Sequence, residues 1–223
     1  MTLPTTLTIV RIGLTFVIMA LCFVPGWVAK AFALAGFLLA SLTDWLDGYL
    51  ARRWHQLSDL GALLDPIADK VLVLGLLLAF VQLRLVPAWM VLLIALREFL
   101  ITGVRLIAAG RHIVLPAAKE GKHKTVSQML AIFIILLMLL VREGLGAEAL
   151  TGATGRLTEG IILGSLWVAL LLTVISGASF FWRHRTILRD VITRGVATIR
   201  LPRPTGRQAR ARPSQARADR SGR

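Results

Sequence analysis

Four aspartates carry the chemistry of this chain. Asp44 and Asp47 stand three residues apart, and Asp65 and Asp69 stand four apart. On helices each pair lies on one face, one turn apart. Gly48 and Ala51 are small residues beside the first pair, where a backbone or a ligand can come close. Both pairs sit at the ends of strongly apolar segments. Charge inside such segments is costly and marks a pathway or a site. Four carboxylates that face one another cannot all stay ionised without cations. A pair of divalent metal ions is the simplest answer, and hard oxygen donors suit Mg²⁺ or Mn²⁺. The plainer alternative is a set of interfacial anchors at helix ends, which would need no fixed spacing.

A second group of residues suits phosphate. Arg97-Glu98 and Arg105 lie in one apolar segment, and Gly121-Lys122-His123-Lys124-Thr125 opens the next. A glycine-led, basic helix start favours phosphate through its N–H groups, its dipole and its cations. It is not a Walker loop, because the second glycine spacing is missing. For Arg111 and Lys119 the plainer alternative is a topology signal, and for Lys70 an interfacial charge partner. His55, His112, His123 and His184 have no metal-ligand spacing, and the single Cys22 excludes an intrachain disulfide.

The elements that must position these groups are membrane spans. Of the 223 residues 56% are hydrophobic, and the mean hydropathy is +0.73. Six apolar segments approach the roughly 20 residues of a bilayer crossing: Leu7–Val24, Ala29–Leu50, Gly61–Leu83, Pro87–Ala109, Thr125–Val141 and Gly160–Trp182. The expected fold is an all-α integral membrane bundle of six transmembrane helices, residues 1–182, with both termini on one side. Pro66, tolerated in a first helical turn, places the start of the third helix shortly before Asp65. Thr5 reads as an N-cap and Arg11 as a snorkelling side chain. Trp27, Trp54, Trp89 and Trp182 fall near span ends, as an aromatic belt requires.

Charge sets the orientation. One set of connections holds Arg52, Arg53, Arg111, Lys119, Lys122 and Lys124; the other holds Lys30, Arg84, Arg142 and Arg156. The richer set is cytoplasmic by the positive-inside rule, so the aspartates open toward the cytoplasm. From Arg183 onward twelve Arg and two Asp give +10 of the net +14. This tail, residues 183–223, is expected to be largely disordered and held to anionic lipid. Nucleic-acid binding is not expected, since no aromatic platform accompanies the charge.

The pattern D-x2-D-G-x2-A-R-x8-G-x3-D-x3-D is filled at every fixed position from Asp44 to Asp69. It resembles the signature of the CDP-alcohol phosphatidyltransferases, multi-pass enzymes of phospholipid synthesis. The resemblance runs over most of residues 4–180. It implies transfer of a phosphatidyl group from CDP-diacylglycerol to an alcohol with release of CMP, two Mg²⁺ or Mn²⁺ ions, a location in the cell membrane and a homodimer. It implies that Asp44, Asp47, Asp65 and Asp69 hold the metals and that Asp69 also accepts the alcohol proton. Gly48, Ala51, Arg52, Ser58, Thr5 and Thr8 fall to the CDP-lipid; Thr5 stands where the family often has Asn.

The stretches Leu64–Lys70, Arg97-Glu98 with Arg105, and Gly121–Thr125 followed by Gln128-Met129 resemble the branch of the family that uses glycerol 3-phosphate. An anionic acceptor needs cations near the metals, and Arg105, Lys122 and Lys124 supply them. Inositol phosphate or another alcohol is the alternative acceptor. A divalent-cation transporter would also use facing Asp pairs. A lipid-binding scaffold gives no reason for four of them.

Overall fold

The structure, a computed structural model, describes residues 3–54, 59–110, 120–146 and 152–185. Inside the helices, the side chains of 3–5, 7–8, 44–54, 59–67, 69 and 120–123 lie outside the described residues. The chain divides into two units, Met1–Arg183 and His184–Arg223. The first holds six helices: α1 (Leu3–Phe23), α2 (Trp27–Trp54), α3 (Asp59–Gln82), α4 (Ala88–Ala109), α5 (Glu120–Leu145) and α6 (Ala153–Arg183). No strand occurs among the described residues. The expected behaviour of the tail beyond residue 185 falls outside them.

Each described helix end has a local cause. Pro25 and Gly26, the latter at φ 100°, close α1. The Gly26 N–H then donates to Glu143 Oε2 at 3.0 Å, which ties this turn to the end of α5. Lys30 Nζ donates to the carbonyls of Cys22 and Val24, both at 2.6 Å. These are carbonyls that the end of α1 leaves without helical partners, so a lysine that reads in sequence as a topology charge is a buried helix cap. At the end of α3, Arg84 N donates to Val81 O at 2.9 Å and Leu85 N to Phe80 O at 3.0 Å. This pair of bonds is a Schellman closure. Pro87, extended at φ −73° and ψ 135°, caps α4.

α1 packs against both α2 and α3, α5 against α2, α3 and α6, and α6 against α4. Ile18, Leu72, Leu76, Phe80, Met90, Ile94, Ile132, Ile135 and Leu166 form one continuous core. Glycine lets α1 come close on both sides. A Cβ on Gly36 would stand 3.0 Å from Ile18 Cγ1, and one on Gly75 would stand 3.1 Å from Met19 Sδ and 3.2 Å from Thr15 Cγ2. Outside the core, Phe16, Phe32, Leu92, Phe99, Val126, Leu171 and Trp182 are exposed. An apolar outer surface of this kind is what a bilayer solvates.

Three expectations are corrected. α3 begins at Asp59, so Pro66 lies inside the helix rather than in its first turn. The helix extends back through Leu60–Leu64 and accepts the loss of one N–H. Thr5 is not an N-cap, because α1 already begins at Leu3, with Pro4 in the first turn where its missing N–H costs nothing. Arg11 does not snorkel: it is 2% exposed and its backbone carbonyl accepts from Thr15 Oγ1 at 2.9 Å.

The close approach at Gly75 predicts an asymmetry between two glycines. Gly75→Leu should lower stability by about 1–3 kcal/mol, because α1 must move. Gly13 has nothing within 4 Å of an added Cβ, so Gly13→Ala should leave stability unchanged or raise it by up to about 1 kcal/mol. Thermal unfolding of both variants in detergent checks this.

Candidate active site

The four aspartates are carried as their spacing requires. Asp44 and Asp47 lie in the last three turns of α2, and Asp65 and Asp69 in the first three turns of α3. Both stretches are helical, so each pair occupies one face at adjacent turns. Both helices pack on α1 and on α5. The side chains of the four lie outside the described residues, as do those of Gly48, Ala51, Arg52, Thr5 and Thr8; Ser58 lies wholly outside them. Ala40 and Ala68, at the edge of this region, are both fully buried, so the helices reach the core right up to the acidic turns. Thr43, one residue before Asp44, bonds back to Leu39 O and Ala40 O at 3.0 and 2.9 Å. It therefore turns its hydroxyl onto its own helix.

The donor set fits a pair of hard divalent cations: four carboxylates, two from each of two helices that share their neighbours, and no sulfur or imidazole among them. Among the described residues no group of three or more His, Cys, Asp or Glu offers another metal position.

Beside these turns lies a cluster of cations, described in detail. Glu98 Oε1 accepts from Arg97 Nη1 at 3.0 Å and from Lys124 Nζ. The Arg97, Glu98 and Lys124 side chains are 12%, 12% and 9% exposed. Arg97 Nη2 donates to Ser176 Oγ at 2.8 Å, which joins α4 to α6. Gly177 makes room for the arginine, since a Cβ there would stand 3.1 Å from Arg97 Cγ. Arg97 and Lys70 both lie near enough to repel the Lys124 ammonium, and Arg105 likewise repels Arg97. The Arg105 guanidinium sits 5.5 Å from the centroid of the Phe180 ring, a cation–π contact that keeps an exposed charge in place. One helical turn below Lys124, Gln128 Nε2 donates to Thr173 Oγ1 at 2.9 Å, and Thr173 in turn donates to Ala169 O at 2.6 Å.

Arg105 and Lys124 therefore do belong to one cluster, at the α5 start and α4 end of the bundle. The Lys122 side chain lies outside the described residues. Sequence reading singled out Arg97 without giving it a role, and missed Ser176 and Gly177 as members of this site. The signal for Arg97 was present, a buried-length helix carrying Arg-Glu at its centre. Ser176 and Gly177 gave none, because their role depends on which helix lies opposite. Lys70 joins the aspartates to the cluster: it follows Asp69 directly and faces Lys124 electrostatically.

The chain matches the family model described as CDP-alcohol phosphatidyltransferase over residues 1–175, and it belongs to that family. Its curated relatives narrow the comparison. It is 37% identical over 199 residues to the CDP-diacylglycerol–glycerol-3-phosphate 3-phosphatidyltransferase of Bacillus subtilis strain 168, covering 84% of this chain and 97% of the relative. The protein of the same name from Rickettsia typhi is 36% identical over 184 residues, covering 82% and 97%. That from Cereibacter sphaeroides is 33% identical, covering 84% and 97%. The family is one of membrane-embedded transferases that generally use divalent metals. Two helical stretches, Lys124–Leu145 and Ala153–Arg183, are long and apolar enough to cross a bilayer, in keeping with that membership. The transporter reading is set aside, since the family's activity is transfer.

The shared carboxylate gives a prediction about stability. Glu98→Gln leaves Arg97 and Lys124 facing each other without their counter-charge and should destabilise by about 3–5 kcal/mol. Glu98→Gln combined with Lys124→Gln should recover part of that loss, because one of the two stranded cations is gone. Chemical denaturation of the single and double variants in detergent reads the coupling.

Proposed function

We propose that the chain transfers a phosphatidyl group from CDP-diacylglycerol to sn-glycerol 3-phosphate, giving phosphatidylglycerophosphate and CMP. The observation that carries this reading is the charge of the described cluster. Lys70, Arg97, Arg105 and Lys124 are four basic side chains around Glu98, the one carboxylate among the described side chains there, an excess of basic groups. A neutral alcohol has no use for that excess; a phosphorylated one does. The names of the relatives point to the same acceptor.

The residues divide the work. Asp44, Asp47, Asp65 and Asp69 are the ligands for two divalent ions, Mg²⁺ or Mn²⁺. Those ions, when bound, neutralise the diphosphate and the charge that builds up on CMP as it leaves. Asp69 accepts the proton of the acceptor hydroxyl as it attacks phosphorus. Gly48 and Ala51 leave space for the nucleotide, Arg52 contacts the diphosphate, and Thr5, Thr8 and Ser58 add polar contacts to the CDP moiety. Arg105, Lys122 and Lys124 hold the acceptor phosphate. Arg97, fixed by Glu98 and Ser176, positions this group. Most of phosphoryl transfer is placement and charge stabilisation, and the residues supply both.

The bundle is read as six spans in the cell membrane, termini and aspartates on the cytoplasmic side, where nucleotide-activated lipid and soluble acceptor meet. Residues 1–182 form the membrane domain and 183–223 a basic tail. The family resemblance adds a homodimer.

Three experiments test this reading. Asp44→Asn and Asp65→Asn should each abolish CMP release from CDP-diacylglycerol, and chelator should do the same to the unaltered protein; turnover that survives chelator rules out the metal assignment. Arg105→Ala and Lys124→Ala should each raise the KM for glycerol 3-phosphate about ten- to a hundredfold, from roughly 1.5–3 kcal/mol per lost charged contact. The KM for CDP-lipid should barely change. An acceptor panel including inositol phosphate, scored by CMP release, separates the sister activities, and a preference for inositol phosphate would move the chain to that branch.

A further inference from the structure

At the end of the bundle away from the aspartates the structure holds a cavity of about 850 Å³. It opens between the α3–α4 turn, the end of α5 and the start of α6. From Asp69 to Gln82 along α3 is roughly 20 Å, and from Lys124 to Arg142 along α5 roughly 27 Å, at the rise of an α-helix. The cavity is therefore a different place from the site above.

Its lining is amphipathic. Leu85, Met138 and Ile162 form apolar wall, and Arg84, Arg142 and Glu159 stand around it. The two arginines and the glutamate are exposed. Among the described residues none of the three takes part in an ion pair.

Arg84 has a second peculiarity. It occupies the left-handed position of the Schellman closure, φ 58°, and is the only non-glycine residue with positive φ among those described. Glycine is the usual occupant there, because any side chain strains it. The Arg84 backbone is strained at this position, and its side chain lines a cavity with a second arginine.

Nearby aromatic residues give the depth. Trp89, in the first turn of α4, stacks edge-on against Trp167 of α6, with ring centroids 5.6 Å apart and planes at 65°. Trp89 follows Ala88 directly, and Trp167 lies one helical turn beyond Leu163; both Ala88 and Leu163 line the cavity. Both tryptophans are about half exposed, at 49% and 45%. Exposed tryptophan on an apolar bundle settles at the headgroup level of a bilayer. The cavity, beside this pair, is thereby placed toward the membrane–water interface.

We propose that this cavity is a binding site for an anionic phospholipid, separate from the substrate site. Arg84 and Arg142 take the phosphodiester, Glu159 accepts from a hydroxyl of the headgroup, and the first part of an acyl chain lies on Leu85, Met138 and Ile162. Basic pockets between membrane helices recognise lipid headgroups by this chemistry. The apolar wall and the volume favour a lipid over free phosphate, which would leave most of the cavity unfilled.

The test uses the full chain in nonionic detergent, titrated with dioleoyl phosphatidylglycerol or dioleoyl phosphatidylcholine, with bound lipid counted by native mass spectrometry. Arg84→Gly relieves the left-handed strain and should melt no lower than the unaltered protein, so loss of binding cannot be blamed on folding. Arg84→Gly and Arg142→Gln should each weaken phosphatidylglycerol binding about tenfold, and the double variant should lose the preference over phosphatidylcholine. A photoactivatable phosphatidylglycerol should label peptides spanning 81–88 and 155–163. Undiminished phosphatidylglycerol binding by the double variant overturns the proposal. So does equal binding of phosphatidylcholine, or complete displacement of the lipid by millimolar inorganic phosphate.

Discussion

Charge buried among apolar helices must be compensated where it stands, and this one constraint shapes the bundle. Little water reaches these groups, and each unpaired charge costs several kcal/mol. Lys30 is matched to two carbonyls at the end of α1. Glu98 is shared between Arg97 and Lys124, and Arg97 Nη2 donates to Ser176. These contacts pin α2 to α1, α4 to α5 and α4 to α6. The same rule applied to the four aspartates asks for cations of higher charge than any side chain carries. The proposed metal pair meets that need, and the positive excess of the neighbouring cluster is left for an anionic acceptor.

Much of this was legible in the sequence, for a physical reason. Six apolar runs separated by Pro, Gly and charged connections read as helices, and all six appear with ends within about four residues of the expected ones, except that α5 and α6 start five and seven residues early. The acidic signature was legible because its spacing is a helical spacing, three and four. The place of Pro66 was not: it looked like a first-turn residue, and the helix runs from Asp59 through it. Arg11 and Lys30 looked like surface charges, because a sequence records charge and not the carbonyls or helices around it. Ser176 and Gly177 were invisible for the same reason: their meaning lies in the arginine on another helix.

The arrangement suits a reaction between a lipid and a soluble anion. The acidic helix turns and the cation cluster are joined through Lys70, next to Asp69 in sequence and within electrostatic reach of Lys124. A nucleotide-activated lipid and a phosphorylated alcohol can then be held by different helices, α2 and α3 for one and α4 and α5 for the other. Close approach of α1 at Gly36 and Gly75 holds the two acidic helices to a common neighbour. Among the described residues the outer face of the bundle is largely apolar.

The central claim is that four carboxylates on α2 and α3 hold two divalent ions together. Electron paramagnetic resonance of the purified protein titrated with Mn²⁺ addresses it directly, without turnover. Two Mn²⁺ per chain are expected, with the exchange or dipolar broadening of ions roughly 3.5–4 Å apart, and Asp47→Asn should remove the coupled signal. A single uncoupled Mn²⁺, or a coupled pair that survives loss of Asp47, would contradict it.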